Sequence, residues 1–561
     1  MIKKVLRSNF ELGSTREAVR RAQWKALGLS DADLSKPKIA VVNSSSELAI
    51  CFSHLDGVAK VVKDAVRAAG GLPFEIRTAA PSDFIISAGG SGYILASRDL
   101  VVNDIEIAVE GAQLDGMVCL TSCDKTPPAH LMAAGRFNIP ALIVVCGYQP
   151  SGEYRGRHVD IEDVFMGSVE AAFGRLDKAE LVEMSNNAIR GPGVCSGMAT
   201  ANSMHVVCEA LGMTLPGTAP VAANSDAMFE AARASGERIV EMVLDDLKPR
   251  DIMTEGAFRN AVAAVLAVSG SINCIKHLQA AAVESGVDVD VFALFNELGR
   301  KVPVLSAVRP NGEDSIEAFD AAGGACAIMK QLEPLLELDV MTVTGATVRD
   351  NLAAVTVANQ EVIRPLGRAF SNAAPIVILR GSLAPESAVV KLGLRDPGRK
   401  DHFAGEAIVY DDGFEAIAGI QRGEVKPGQV LVVRGMGPKG GPGMAGPASM
   451  VVFALYAAEL QNDVAFVSDG QLSGLCNKGL TIAEVSPEAA VGGPIGLVQD
   501  GDRISIDVDG RRLELEVATD ELQRRRAELG NPELKPATGW LSIYRDNVQP
   551  MARGVVLLRD L

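Results

Sequence analysis

Residues 115–147 read DGMVCLTSCDKTPPAHLMAAGRFNIPALIVVCG. The run DGMVCLTS is apolar over a strand's length, PPAHLMAAGRFN has the texture of a helix, and PALIVVCG is apolar again. The same alternation precedes it in KPKIAVVNSSS and SHLDGVAKVVKDAVRAAGG. Strand, loop, helix and strand in succession imply a largely parallel sheet covered by helices. Such sheets place ligands in the loops at the carboxyl ends of their strands. The segment TSCDK occupies one of these junctions and carries a thiol, a carboxylate and an amine on Cys123, Asp124 and Lys125.

At 561 residues the chain is too long for one ordinary core, which makes two domains the expectation. Apolar residues make up 48% and charged residues 22%, the balance of a close-packed α/β enzyme. The formal charge of −16 disfavours nucleic acid and anionic membrane as partners, so an anionic substrate needs cations supplied locally. The N-terminal segment lacks the apolar core of an export signal, and no apolar run approaches the roughly 20 residues of a spanning helix. A cytoplasmic location is expected. Nine scattered cysteines with no CxxC pair argue for reduced thiols and against zinc-ribbon or thioredoxin readings.

Further along, patterns such as GMATANSMHVVCEALGM are helical from Gly197 to about Val355. Beyond GRAFSNAAPIVILRGSLAPESAVVK the texture changes to short segments rich in Gly and Pro. In RISIDVDGRRLELEV, Ile504, Ile506 and Val508 alternate, Asp509-Gly510 supplies a turn, and Leu513, Leu515 and Val517 alternate again. The fold class is α/β. An N-terminal parallel-sheet α/β/α domain is expected over residues 1–370, and a C-terminal β-rich, barrel-like domain over 371–561.

Three cysteines sit in loops after apolar runs or beside Gly-rich turns: Cys51, Cys123 and Cys195. The other six, Cys119, Cys146, Cys208, Cys274, Cys326 and Cys476, lie within apolar or helical patterns and read as packing. Loop thiols bind iron-sulfur clusters, although small residues in tight turns are the plainer explanation of the trio. Asp83 and Asp124 are candidate oxygen ligands for Mg2+, or else solvated turn and cap residues. Two Gly-rich segments, RGMGPKGGPGMAGPASM and SDGQLSGLCNKGL, offer backbone N–H groups to an anion but match no nucleotide fingerprint. Ser473 lies in the second and has no nucleophile-elbow pattern around it.

Taken in order, NSSSELAICFSHL, TAAPSDFIIS, YILASRDL, DGMVCLTSCDKTPPAHLMAA, GPGVCSGMATANSM, RGMGPKGGPGM, SDGQLSG and VSPEAAVGGPIGLVQDGDRI resemble the family of dihydroxy-acid, 6-phosphogluconate and sugar-acid dehydratases over nearly the whole chain. The resemblance implies a [2Fe-2S] cluster on Cys51, Cys123 and Cys195. It implies Mg2+ on Asp83, Asp124 and a carboxylated Lys125, with Ser473 as the base that removes a C2 proton. The activity implied is loss of water from a 2,3-dihydroxy or polyhydroxy carboxylate to give a 2-keto-3-deoxy acid, in a homodimer or homotetramer.

The chain also departs from the family pattern. Gly443-Met444-Ala445-Gly446 stands where the family usually reads Gly-Met-x-Glu, so one expected Mg2+ carboxylate is missing. Phe84 replaces the usual glycine after Asp83, and the segment from there to Tyr93 is shorter and lacks the common histidine. A non-catalytic relative that binds hydroxy acids without an intact Mg2+ site is the rival reading, and a thiol redox protein a weaker one, lacking CxxC. His54 and His130 flank the ligand loops without an assigned catalytic role.

Overall fold

The computed structural model describes residues 5–557 apart from 90–91, 393, 395–397, 442, 444–445 and 533. Its first sheet contains β1 (Lys38–Asn43), β2 (Leu72–Arg77), β3 (Gly116–Thr121) and β4 (Ala141–Val145). All pairings are parallel in the order β2-β1-β3-β4, with Val42 beside Cys119 and Thr121 beside Val145. Helices Leu55–Ala68 and Asp226–Asp245 pack together on one face, and Tyr93–Val109 and Thr126–Phe137 cover the other. With both faces covered, β1, β3 and β4 are buried along their whole length. Their sequences are therefore apolar on both faces rather than alternating, with polar residues only at the strand ends, Lys38, Asn43 and Thr121. The chain leaves β1 toward one edge of the sheet and β3 toward the other, so the loops after these two strands part and open a crevice at their carboxyl ends.

A short antiparallel hairpin of β5 (Gly152–Tyr154) and β6 (Arg157–Val159) follows. Helices from Thr200–Ala210 to Val348–Leu352 then form the layer expected from their periodicity.

The second sheet contains β7 (Ile376–Leu379), β8 (Ser387–Lys391), β9 (His402–Tyr410), β10 (Val430–Val433), β11 (Ala465–Ser468), β12 (Thr481–Ser486), β13 (Arg503–Asp507) and β14 (Arg512–Leu515), in the order β14-β13-β9-β10-β11-β12-β8-β7. The two ends meet beyond β7, where Arg380 N–H donates to Arg511 O and Arg380 O accepts from Leu513 N–H, both at 3.1 Å. The sheet is thus nearly closed and barrel-like. Strands β9 to β12 are parallel. Helices Gly413–Gln421 and Pro447–Ala457 make the first two of their crossovers, because parallel neighbours cannot be joined by tight turns. The Gly- and Pro-rich texture had concealed both helices.

Side chains alternate across the barrel wall. Val430, Val432, Ala465, Val467, Ile504 and Ile506 fill the interior. Leu431, Val433 and Phe466 point outward and join the core shared with the helices. The β13–β14 hairpin forms as its alternation predicts, but its connection is the four residues 508–511. Its left-handed residue is Arg511, with φ 58°, not Gly510. Gly510 is required there because a Cβ would run into the Asp507 carboxylate, whose Oδ1 accepts the Gly510 N–H at 2.7 Å.

Lys391 closes β8 and is only 2% exposed. Its Nζ donates to the carbonyls of Ser269 and Gly270, anchoring the turn before Ser271. Burial lowers its pKa to about 7, against an ordinary 10.5. Below pH 7 the folded state carries a buried ammonium at a penalty. Between pH 7 and 10.5 the folded state has released a proton that the unfolded chain still binds, so stability from this group rises with pH. Thermal unfolding at pH 9 and pH 6 should show wild-type protein losing more Tm on acidification than Lys391→Met; equal losses would contradict the assignment.

Candidate functional site

The turn from β3 into helix Thr126–Phe137 is built locally. Ser122 N–H donates to Thr126 Oγ1 at 2.9 Å, and that hydroxyl donates back to Ser122 O. Pro127 and Pro128 occupy the first helical turn, where a missing N–H has no consequence. Between these anchors Cys123 adopts a φ of 62°, the left-handed region uncommon outside glycine. Ser122 Oγ donates to Cys51 O at 2.6 Å, tying the loop after β3 to the loop after β1.

Cys51 and Cys123 interact: Cys123 holds the Cys51 thiol below the ordinary value, and Cys51 together with burial pushes Cys123 well above it. Burial raises Cys195 well above that value too. Cys195 lines the same cavity as Cys123, and all nine cysteines are free thiols. Each of the other six is buried.

Lys125 is fully enclosed, with Nζ 2.6 Å from Asp83 Oδ2 and 3.9 Å from Asp124 Oδ2. Burial opposes its charge, but the two carboxylates outweigh burial and hold the ammonium above its ordinary value. Burial likewise raises Asp83 to about 7 against the pull of Lys125. Asp83 Oδ1 is buried with no hydrogen-bond partner, leaving a hard oxygen unsatisfied. Three thiols beside two carboxylates form a soft donor set next to a hard one. This combination could hold an iron-sulfur cluster adjoining a divalent cation such as Mg2+.

A cavity of about 270 Å³ joins these groups to residues from the barrel. Cys123, Cys195, Asp83 and Asp124 face it, as does Ser473 from the loop between β11 and β12; Cys51 and Lys125 stand behind this lining. Ser473 N–H donates to Ser449 Oγ at 2.8 Å, and Ser473 Oγ accepts Leu475 N–H at 3.3 Å. Thr200 and Pro447, the first residues of two 11-residue helices, also line the space. Their N-terminal dipoles supply positive potential that the acidic composition does not. Phe84, Ile94, Phe165, Phe414, Met450 and Leu475 give the cavity an apolar stretch, beside the polar Ser87, Asn273, Ser449 and Gln471. Phe84 and Phe165 meet edge to face at 6.0 Å.

Sequence reading gave no role to Thr200, Asn273, Ser449, Phe165 or Phe414. Thr200 and Ser449 lie inside motifs given above, whereas Asn273, Phe165 and Phe414 carry no spacing that would mark them. The Gly-rich loop after β10 uses its N–H groups internally. Asp469 accepts from Gly435, Met436 and Ala489 at 2.9 to 3.1 Å, and Glu488 accepts from Lys439 and Gly440 at 2.9 to 3.1 Å. The chain's own carboxylates thus fill the anion cradle. Gly446 caps helix Pro447–Ala457 and faces the cavity, while Met444 and Ala445 lie outside the described residues. His54 Nε2 bonds Cys146 O at 2.6 Å and His130 Nδ1 bonds Thr121 Oγ1 at 3.0 Å. Burial lowers both, His130 to about 3, so they are neutral packing groups. A separate cluster of His158, Asp160 and Asp163 is already met by Arg309, at 3.5 Å from Asp160 and 3.0 Å from Asp163.

Comparison with known proteins matches residues 36–351 to the dihydroxy-acid/6-phosphogluconate dehydratase N-terminal family and residues 361–555 to its C-terminal counterpart. The dihydroxy-acid dehydratase of Methanococcoides burtonii is 42% identical over 98% of this chain and 99% of its own length. Those of Carboxydothermus hydrogenoformans and Moorella thermoacetica are each 40% identical, over 97% and 96% of this chain and 98% of their own lengths.

A Cβ on Gly474 would lie 2.9 Å from Thr200 N and Ser271 Oγ, and backbone on one side cannot yield cheaply. Gly474→Ala should therefore fold but displace Ser473, lowering turnover about a hundredfold. A purified variant with wild-type steady-state rates would refute this reading of the loop.

Proposed function

Because this chain belongs to the dihydroxy-acid/6-phosphogluconate dehydratase family and is a dehydratase, we propose that it is an iron-sulfur hydro-lyase converting a 2,3-dihydroxy carboxylate to a 2-keto-3-deoxy acid. The observation that carries this is the single cavity in which Ser473 faces Cys123, Cys195, Asp83 and Asp124. Cys51, Cys123 and Cys195 would hold a [2Fe-2S] cluster. Asp83, Asp124 and Lys125, carboxylated on its amine, would hold Mg2+. When bound, the two centres supply Lewis acidity toward the carboxylate and hydroxyl oxygens of the substrate.

Ser473 Oγ, as the alkoxide, takes the proton from C2. The C3–O bond breaks, and the departing hydroxyl takes the proton from Ser473 Oγ to leave as water, which restores the alkoxide; the resulting enol tautomerises to the keto acid. The N–H donated by Leu475 and the amino ends of the two helices favour negative charge on Ser473 and on the substrate carboxylate. Gly446 contributes no carboxylate, so the protein's hard ligands reduce to Asp83, Asp124 and Lys125. The rings of Phe84, Phe165 and Phe414 favour a substrate with an alkyl end, while Ser87 and Gln471, whose Oε1 is buried without a partner, are the polar groups that further hydroxyls could meet.

Protein purified without oxygen should contain iron and acid-labile sulfide and release keto acid from an alkyl 2,3-dihydroxy acid. Ser473→Ala should keep the cluster absorbance and lose on the order of a thousandfold in turnover. Absence of iron and sulfide after reconstitution would overturn the reading.

A further inference from the structure

Asn273 opens helix Asn273–Ser285 and lines the cavity. Lys276 Nζ donates to its Oδ1 at 2.6 Å, and its Nδ2 donates to Thr200 Oγ1 at 3.0 Å, a hydroxyl 2.9 Å from Ser271 Oγ. An ammonium on the carbonyl oxygen fixes the sense of the amide: the NH2 group must face Thr200 and the cavity, with its second N–H left for a ligand.

Lys276 is held in turn. Its Nζ also donates to Glu484 Oε1 of β12, and neither side chain has any exposure. Glu484 occupies a left-handed φ of 54° where the β12–β8 register shifts, and its N–H donates to Gly470 O at the start of the Ser473 loop. A buried ion pair is often no more stabilising than apolar side chains of the same volume. A left-handed glutamate adds backbone strain. Stability does not account for this arrangement, whereas orientation of Asn273 does.

We propose that Asn273 is a substrate-binding residue, donating its free amide N–H to a carboxylate or hydroxyl oxygen of the hydroxy acid, and that Lys276 held by Glu484 is the positioning residue that sets the amide. The proposal rests on the dehydratase reading above. A reversed amide would turn its oxygen toward an anionic substrate, so loss of the pair weakens binding rather than abolishing chemistry.

The test compares holoenzymes. Lys276→Met alone strands the Glu484 carboxylate and is open to misfolding, so the main variant is Lys276→Met/Glu484→Gln, which removes both charges at similar volume. Its KM should rise about tenfold with kcat within about threefold of wild type, the pattern of lost uniform binding. Asn273→Ala should show the same rise, and adding it to the double variant should give no further change. Asn273→Asp, which keeps the Lys276 contact but has no donor and turns an oxygen toward the substrate, should raise KM at least as far as Asn273→Ala. Wild-type KM in the double variant, or additive losses in the triple, overturns the positioning role. Wild-type KM in Asn273→Ala overturns the contact, even if the double variant does not fold. An active wild type with unaffected variants sinks this proposal alone, whereas a wild type that turns over no dihydroxy acid sinks the dehydratase reading and this proposal with it.

Discussion

A lysine ammonium with no exposed surface must find negative charge, and for Lys125 that charge comes from Asp83 and Asp124. Stranding a buried charge costs about 3–5 kcal/mol, enough to dictate local geometry. Asp83 follows β2 and Lys125 follows β3, so their meeting draws together loops from two strands of the sheet. The Ser122–Cys51 hydrogen bond adds the loop after β1. The thiols then lie beside the carboxylates because the strand ends leave them no other place.

The barrel gives this cluster an opposite wall. Its strands bury side chains inside and out, so the sheet is as rigid as a core and its loops inherit that rigidity. Asp469 and Glu488 accept the N–H groups of Gly435, Met436, Lys439 and Gly440 in the glycine-rich loop after β10. Gly474 lets the Ser473 loop approach helix Thr200–Ala210 as closely as backbone allows. Ser473 is therefore placed by contacts with both sheets' surroundings rather than by its own short loop.

The cavity lining combines hard and soft donors, helix amino ends and hydroxyls, and phenyl rings. An acidic chain can attract an anion here because helix termini concentrate positive potential over a few ångströms, where net charge has little influence. Phe84 and Gly446 act in the same sense: one adds apolar surface to the lining, and the other brings no carboxylate.

Residue patterns alone carried the parallel sheet, since strands buried on both faces must be apolar on both, and they carried the loop positions of Cys51, Cys123, Asp124 and Lys125, since such loops follow those strands. The β13–β14 hairpin was legible from alternation, although its turn was not, because the left-handed residue Arg511 answers to neighbours across the turn. Tertiary structure alone decided which distant residues share the cavity. Lys276 and Glu484 are 208 positions apart, and no local period records that they meet. Helical and strand periods report only which face of an element is buried, whereas the partner buried against that face is selected by packing and charge pairing across the whole fold.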